Sequence, residues 1–311
     1  MPIEISVVVP AYNQAPLLAA SVGSLLRQSL PSDTYEVIAV NDGSTDDTGR
    51  VLAGLQAAHG PLSVITLPAN RGRSGSRNAG IAAARGAIVV FVDSDIIVRH
   101  DFLAHHRRMH QERRGWIVSR GPVVPVESPA DVPDDGIPAL ASSPAYFNTT
   151  NAGVPAEALR RAGMFDESFP GYGWEDFELG MRLKRLGLRR VFRRRAVAFH
   201  IEPHAPAYAV AADVRRETER AVSAVYFYRK HPVWETRVLI QATPVHHAAY
   251  WLQSGGGFIR ADNVETVAER LRRAGWTGLA AFLYRGVLNR HYLRILEREL
   301  TRGQQRSASD A

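Results

Sequence analysis

The first hundred residues alternate between short apolar runs and stretches in which apolar residues recur at helical spacing. A run that is apolar at nearly every position is typical of a strand covered on both faces of a sheet. The apolar runs lie at residues 4–10, 35–42, 62–68 and 87–95, and the helical patterns at 14–28, 44–60 and 74–86. This alternation predicts an α/β fold with a mostly parallel sheet flanked by helices.

Polar residues cluster directly after each apolar run. The strings PAYNQ, NDGSTDD, NRGRSGSRN and DSD follow the first, second, third and fourth run in turn. Because the carboxyl ends of parallel strands share one edge of a sheet, where ligands of such folds bind, the four loops are expected to line one pocket. The sequence has no G-x-G-x-x-G string after the first run and no Walker A string, which argues against a standard dinucleotide or P-loop site.

Two acids, Asp93 and Asp95, stand at the end of the fourth apolar run. An unpaired buried carboxylate is costly, so such acids are usually paired, hydrogen-bonded or bound to metal. In extended backbone, residues two apart point the same way. Oxygen ligands suit Mg²⁺ and Mn²⁺, which bind one or two carboxylates together with substrate phosphates. The pair therefore indicates a divalent cation site.

The second half of the chain differs in composition from the first. Residues 121–145 are rich in proline, serine and aspartate, which predicts a long loop that closes over the pocket. Further elements are predicted at 148–163 (a strand, then a helix), 174–186 (a helix), 188–206 (a strand, then a loop) and 207–231 (a helix). Beyond about 233 the pattern is helical with a break at 253–263, which predicts a C-terminal helical extension.

The 311 residues carry a formal net charge of +7, nearly all of the positive charge comes from arginine, and the sequence pI is near 10.0. A nucleoside diphosphate, an anionic lipid or a nucleic acid would each suit this charge, but no recognised nucleic-acid-binding module occurs. With no cysteine, disulfides, thiolate zinc sites and thiol nucleophiles are excluded. No secretory signal and no 18-residue apolar run is visible, which predicts a cytoplasmic protein.

A basic stripe of Arg290, Arg294 and Arg298 repeats every four residues near the C-terminus. Such a stripe is typical of a solvated helix face. The alternatives are docking as a peripheral protein at the inner face of a membrane, or contact with a partner. The C-terminal helices are also a candidate homodimer contact.

Five strings, in order, resemble the family 2 glycosyltransferases of GT-A fold: VVVPAYNQ, NDGSTDDT, NRGRSGSRNAGI, FVDSD and GYGWEDFELGMRLKRLG. The resemblance covers residues 1–205. It implies a Rossmann-like GT-A domain at 1–232, with a nucleotide-binding half (1–100) and an acceptor half (101–232), followed by the extension at 233–311. It also implies inverting transfer of a sugar from a nucleotide-diphospho-sugar, with uridine favoured, to a hydroxyl of a glycan or lipid-linked acceptor.

The resemblance also implies which residues bind the donor. The nucleotide-binding set is Pro10, Ala11, Tyr12, Asn13, Asp42, Asn70, Arg71, Gly72, Arg77, Asp93 and Ser94. Within it, Asp42 and Arg71 are expected to contact the base and Arg77 a phosphate. Asn151 is a further candidate for contact with the donor sugar.

A divalent metal, Mn²⁺ or Mg²⁺, is implied as the cofactor. Asp95 is the expected direct ligand, Asp93 reaches the ribose or helps to hold the ion, and His200 is the expected third ligand. His204 is the weaker alternative, because Pro203 and Pro206 make a helix that would align both histidines unfavourable.

The string WEDFE supplies the implied catalytic pair. Asp176 matches the family's general base, which takes the proton of the attacking acceptor hydroxyl, and Glu175 is expected to contact acceptor or sugar hydroxyls. Their place in the first turn of a helix is expected to keep both ionised through the helix dipole. Tyr172 and Trp174 offer flat faces for stacking an acceptor sugar.

Two other functions compete with this interpretation. A sugar-phosphate nucleotidyltransferase has a related fold, but it carries a glycine-rich basic loop after the first strand, where this chain has PAYNQAP. A non-enzymatic protein that binds nucleic acid or a membrane surface would explain the high pI but not the acids of the five strings.

Overall fold

A computed structural model describes residues 2–58, 60–113, 115–133, 136, 145–202 and 209–309, with side chains as far as residue 302. The chain divides into two compact units. The first comprises residues 1–167 and 175–203, and the second comprises residues 168–174 and 204–311. The predicted boundary at 232/233 thus lies inside the second unit.

The first unit contains ten strands and six α-helices within its described residues. In chain order they are β1 (Ile5–Ala11), α1 (Ala15–Leu26), β2 (Tyr35–Asn41), α2 (Thr48–Ala58), β3 (Leu62–Thr66), α3 (Gly72–Ala83), β4 (Ile88–Phe91), β5 (Ile96–Val98), α4 (Phe102–Glu112), β6 (Ile117–Arg120), β7 (Val123–Val126), β8 (Ala152–Pro155), α5 (Ala156–Ala162), α6 (Glu175–Arg185), β9 (Arg189–Phe192) and β10 (Ala198–Ile201).

The main sheet has seven strands in the order β3-β2-β1-β4-β8-β6-β9. Strands β1 to β4 are mutually parallel where they pair, β8 runs antiparallel to both of its neighbours, and β9 is parallel to β6. A second sheet of three strands has the order β5-β10-β7. The predicted mostly parallel α/β architecture is confirmed.

The unbroken apolar run of β1 is explained by the two cores that cover the sheet. Val7 and Val9 pack in one cluster with Leu18 of α1, whereas Val8 packs in another with Ile81 of α3. Successive side chains of a strand point to opposite faces, so both faces of this central strand must be apolar. The carboxyl end of β1 therefore leads to the sheet edge where the polar loops gather.

The fourth strand is shorter than predicted. Strand β4 ends at Phe91, and Asp93–Asp95 form a turn, in which Asp93 O accepts a hydrogen bond from Ile96 N at 3.2 Å, before β5 begins. The argument that extended backbone points both acids the same way is therefore wrong, because this turn breaks the alternation. The predicted single strand within 188–206 is two strands, β9 and β10, and the predicted loop at 121–145 contains β7.

The described part of residues 204–311, which makes up most of the second unit, is mainly helical, as predicted. Its helices are α7 (Val210–Lys230), α8 (Trp234–Leu239), α9 (Pro244–Gln253), α10 (Val264–Arg273) and α11 (Thr277–Ser309). A core of Val264, Tyr284, Val287 and Leu288 joins α10 to α11. None of the helices in the described part of the chain combines the length and the apolar character needed to cross a bilayer.

Candidate functional site

A cleft of about 220 Å³ lies at the carboxyl edge of the first unit's parallel strands. All four polar loops contribute to it, as the strand order predicts. The lining residues are Pro10, Ala11, Tyr12, Gln14, Asp42, Asn70, Gly72, Arg73, Ser76, Arg77, Asp93, Ser94 and Asp95. Nine of the eleven predicted nucleotide-binding residues are in this set; Asn13 and Arg71 are not.

Asn13 instead ties the loop after β1 to the loop after β2. Its backbone is left-handed, with φ of 52°, and its Oδ1 accepts hydrogen bonds from Thr45 N at 2.9 Å and Asp46 N at 3.4 Å. Gly43 also has positive φ, and a Cβ there would lie 2.7 Å from the backbone of Ala69. Only glycine lets the loops after β2 and β3 approach so closely.

Asp42 and Arg71 form the next link between loops. Asp42 is buried, and its Oδ1 accepts a hydrogen bond from the backbone N–H of Arg71 at 2.8 Å. The Arg71 guanidinium forms an ion pair with Glu167 at 2.6 Å. Asp42 thus both lines the cleft and orients the loop at residues 70–72. The side chain of Arg71 is engaged by the carboxylate of Glu167.

Arg77 connects the DSD loop to the start of α6. Its side chain is buried, and its two η nitrogens lie 2.9 Å from Asp93 Oδ1 and 3.0 Å from Glu175 Oε1. Burial would raise the pKa of Asp93, but the guanidinium of Arg77 holds that pKa below its usual value. Arg77 therefore positions two carboxylates, and contact with a phosphate stays a prediction.

Replacing Arg77 with methionine is expected to lower the free energy of unfolding by about 3 kcal/mol, because the buried Glu175 and the partly buried Asp93 would lose their shared cation. Denaturant unfolding measures this. The matched control is Arg50→Met, which removes an exposed pair with Asp47 and should lower the free energy of unfolding far less, because solvent screens exposed pairs. Equal losses in the two variants would show that the Arg77 bridge contributes no special stability.

Asp95 and His200 face each other at the end of the cleft. His200 Nε2 lies 3.2 Å from Asp95 Oδ2, and its Nδ1 lies 2.8 Å from Glu202 Oε1. The hydrogen bond with Asp95 raises the pKa of His200 above its ordinary value, against the effect of burial. Asp95 Oδ1 is buried and has no hydrogen-bond partner within the described ranges.

This geometry fits a cation that also takes oxygens from its substrate. In the part of the chain that the structure describes, no three histidine, aspartate or glutamate side chains form a group that could hold an ion by themselves. Mg²⁺ and Mn²⁺ commonly bind one or two carboxylates and substrate phosphates, and the orphan Oδ1 of Asp95 is a suitable oxygen. Asp93 is engaged by Arg77. His204 lies outside the described residues.

The acidic pair of α6 begins the helix. Glu175 is buried against Arg77, and Asp176 is half-buried. Burial, and secondly the charge of Glu175, raise the pKa of Asp176 to about 7. The expectation that the helix dipole keeps the acidic pair fully ionised does not hold for Asp176, because desolvation outweighs the dipole and leaves this carboxyl divided between its two protonation states near pH 7.

The two aromatic residues expected at the acceptor belong to the second unit. Trp174 is only 6% exposed, and its Nε1 donates to Arg220 O at 2.9 Å. The Arg220 guanidinium lies 5.2 Å from the Trp174 ring centre. Tyr172 accepts a hydrogen bond from Arg216 at 2.7 Å and stacks under its guanidinium. Contact of either ring with an acceptor stays a prediction.

Two residues that support the site were missed from the sequence. Thr150 Oγ1 donates to Asp93 Oδ2 at 3.2 Å, and Glu167 accepts hydrogen bonds from both Arg71 and Asn78. Glu167 follows α3 by more than eighty residues, so no local spacing connects it to the NRG loop. Only the fold brings these partners together.

Asn151 is engaged in a buried hydrogen-bond chain rather than open to the cleft. Its amide donates to Pro122 O at 3.0 Å and Ala196 O at 2.8 Å, and its Oδ1 lies 3.1 Å from His106 Nε2. His106 Nδ1 in turn lies 2.8 Å from Ser119 Oγ. Burial lowers the pKa of His106 to about 3, so the ring is neutral. The structure does not support Asn151 as a donor-sugar contact.

Comparison with known proteins agrees with the first four of the five sequence strings. The family profile described as Glycosyl transferase family 2 matches residues 6–167, just over half of the chain. This range holds the four cleft loops, and the acidic pair of α6 follows it.

Curated relatives are glycosyltransferases of greater length. Validoxylamine A glucosyltransferase of Streptomyces hygroscopicus subsp. jinggangensis is 27% identical over 316 residues, which cover 89% of this chain and 69% of that protein. The uncharacterized glycosyltransferase YfnE of Bacillus subtilis is 27% identical over 254 residues, which cover 63% of this chain and 64% of that protein. The chain thus spans about two thirds of the length of these relatives.

Two solved structures share the fold. The mannosyltransferase PcManGT from Pyrobaculum calidifontis, in complex with GDP-Man and Mn²⁺, has a TM-score of 0.59 at 22% identity, covering 92% of this chain and 88% of that one. TarS 1–349 of S. aureus, in complex with UDP-GlcNAc, has a TM-score of 0.55 at 20% identity, covering 95% of this chain and 91% of that one. At this identity the likeness establishes the GT-A fold alone.

Proposed function

Since the chain belongs to glycosyl transferase family 2, the glycosyltransferase class predicted from the sequence is confirmed, and we propose an inverting transfer of a sugar from a nucleotide-diphospho-sugar to an acceptor hydroxyl. The observation that carries this proposal is the cleft in which four strand-end loops meet, together with the ion pair by which Arg77 joins this cleft to Glu175 of the acidic pair of α6. A pocket for the donor and a base for the acceptor are thereby linked through one side chain.

The donor is proposed to bind with its nucleoside against the loops after β1, β2 and β3. Pro10, Ala11 and Tyr12 after β1, Asp42 after β2 and Asn70 after β3 all line the cleft. A buried aspartate suits a base that offers a ring N–H, as uracil and guanine do. The relatives' complexes with UDP-GlcNAc and GDP-Man are consistent with either base, and uridine is the first choice.

The diphosphate is proposed to lie toward Asp95, with a divalent cation held by Asp95 and supported by Asp93 and His200. When bound, Mn²⁺ or Mg²⁺ would act as a Lewis acid that neutralises charge on the departing diphosphate. Asp95 presents an oxygen without a protein partner among the described residues. Arg77 and Thr150 hold Asp93 in place beside it.

Asp176 is proposed to remove the proton from the acceptor hydroxyl as that oxygen attacks the anomeric carbon. Arg77 fixes the neighbouring Glu175, which leaves Asp176 the less restrained carboxylate of the pair. The base works only when it is deprotonated, so its raised pKa makes the reaction sensitive to pH near neutrality. The acceptor is proposed to be a glycan or a lipid-linked hydroxyl.

A thermal-shift panel of UDP, GDP, dTDP and CDP, each with and without Mn²⁺, tests the donor site. One nucleotide is expected to raise Tm in the presence of Mn²⁺, because a ligand at about 100 times its Kd stabilises a protein by about 2.7 kcal/mol. UDP is the expected nucleotide. The shift should shrink sharply without metal.

The matched variants for this panel are Asp42→Asn and Asp47→Asn. Asp42 lines the cleft, whereas Asp47, just before α2, forms an exposed pair with Arg50. The Asp42 variant is expected to lose most of the nucleotide-dependent shift and the Asp47 variant to keep it. If none of the four nucleotides raises Tm with Mn²⁺ present, the proposed donor site is wrong.

A further inference from the structure

The outer face of α9 is apolar where a solvent-facing helix is normally polar. Val245, Ala248, Ala249 and Leu252 recur at spacings of three and four, which places them on one helix face, and all four are exposed. The exposed fraction is 75% for Val245 and 65% for Leu252. The helix contains no aspartate, glutamate, lysine or arginine. A surface helix normally buries such a stripe.

Large aromatic side chains extend this face beyond α9. Phe258, in the glycine-rich turn after the helix, is 85% exposed, and Phe282 of α11 is 54% exposed. Gln253 Nε2 at the end of α9 donates to Phe282 O at 3.0 Å, so the two helices meet there. The site of a Cβ on Gly256 lies within 4 Å of both Trp251 and Phe258.

The whole patch, here named the α9 surface, consists of Val245, Ala248, Ala249, Trp251, Leu252, Phe258, Leu279 and Phe282. Exposed apolar patches of this kind mark sites of contact with a protein or a membrane. All eight residues belong to the second unit.

Positive charge accompanies the α9 surface. Residues 204–311 contain 16 lysines and arginines against 10 aspartates and glutamates, so this part of the chain carries +6 of the total net charge of +7. Arg260 and Arg285 lie two and three residues beyond Phe258 and Phe282, and both are exposed. Arg290 donates to Ser254 Oγ at 3.2 Å, at the end of α9.

We propose that the α9 surface docks on an anionic lipid bilayer. Exposed tryptophan and phenylalanine bordered by arginine suit the lipid interface, where aromatic rings enter the headgroup layer and cations meet anionic headgroups. A second copy of the chain fits less well, because each copy would bring a net charge of +6 on this unit toward the other. The docking is independent of the transfer reaction proposed above.

Vesicle flotation of the full chain tests the proposal. Vesicles of phosphatidylcholine alone are compared with vesicles containing about one third phosphatidylserine. The protein is expected to float with the anionic vesicles and to be released as salt rises from about 0.05 M to about 0.5 M. The triple variant Trp251→Ser, Leu252→Ser, Phe258→Ser is expected to bind at least about tenfold more weakly, at unchanged Tm, because these side chains are exposed.

Two further variants separate the apolar and the ionic parts of the surface. Arg260→Gln with Arg285→Gln should weaken binding to the anionic vesicles and flatten its salt dependence. Phe192→Ser removes an exposed aromatic residue of the first unit, on β9, and should bind as the unchanged protein does.

Two results would contradict docking of the α9 surface on a membrane. Binding that the triple variant retains in full, or no binding to either kind of vesicle, would overturn the proposal. A dimer in analytical ultracentrifugation that the triple variant abolishes, without vesicle binding, would assign the surface to a second copy instead. Transfer to a water-soluble acceptor should be equal in the triple variant and the unchanged protein, so loss of vesicle binding is distinguishable from loss of the enzyme.

Discussion

Replacing Asp176 with asparagine is expected to lower kcat/KM by about 10³-fold while donor binding persists. General base catalysis contributes about 10²–10⁴-fold, and an amide cannot accept the proton of the acceptor hydroxyl. Asparagine has nearly the same shape as aspartate, so α6 and the Arg77–Glu175 ion pair should be preserved. Steady-state kinetics with the donor identified by thermal shift measures the loss, and the Mn²⁺-dependent nucleotide shift serves as the binding readout.

The pH dependence supplies an independent test of the same residue. The pKa of Asp176 is raised to about 7 in the folded protein by burial and by Glu175, so kcat/KM for the donor should fall as pH drops through this value. The free energy of unfolding depends on pH in the opposite direction. Between its ordinary pKa and the raised one, the folded protein binds the extra proton, so the free energy of unfolding falls as pH rises across this range. Asp176→Asn should remove both effects.

The control for Asp176 is Glu157→Gln on α5. Glu157 is also an acid in the first turn of a helix, but it is exposed and paired with Arg161. The activity of the Glu157→Gln variant should match that of the unchanged protein at every pH. An Asp176→Asn variant that keeps more than about a tenth of the activity would rule out Asp176 as the base.

Replacing Asp95 with asparagine is expected to abolish the metal-dependent part of nucleotide binding and to lower kcat/KM by about 10²–10³-fold. The variant removes the negative charge from the residue whose Oδ1 has no partner in the described part of the protein and whose Oδ2 faces His200. Titration of Mn²⁺ in the presence of nucleotide, followed by thermal shift, measures the binding loss. His200→Asn should lower kcat/KM less, by about 10–100-fold, as expected of a group that supports the cation site.

A matched aspartate–histidine pair lies away from the cleft. Asp101 Oδ2 and His105 Nε2 are 3.1 Å apart at the start of α4, close to the 3.2 Å of the Asp95–His200 pair. Asp101→Asn should leave the metal titration and the activity unchanged. A Mn²⁺-dependent nucleotide shift of full size in Asp95→Asn would refute the cation site proposed here.

The local pattern of the chain was sufficient for the nucleotide-binding half of the fold. Strands β1 to β3 were predicted to within two residues at each end, and the start of β4 to within one, because strands covered on both faces must be apolar throughout. The meeting of the four polar loops followed from topology alone, since parallel strands end at one edge. Nine predicted nucleotide-binding residues line the resulting cleft for that reason.

Tertiary structure decided which side chains act on one another. Arg77 was predicted to reach a phosphate, but its partner Glu175 lies 98 residues away along the chain, and no spacing rule connects them. The pairing of Asp95 with His200 spans 105 residues in the same way. Ion pairs of this kind depend on distances in space, which a pattern of residue types does not contain.

The sequence by itself therefore determined the elements, their order and the edge of the sheet at which chemistry is possible. The ionisation of Asp176 and the outward direction of the apolar face of α9 required the folded chain. Burial sets the ionisation of Asp176, because desolvation depends on everything packed around a carboxylate. Packing sets the direction of the apolar face of α9, because the periodicity of a helix shows that it has an apolar face but not whether that face is covered.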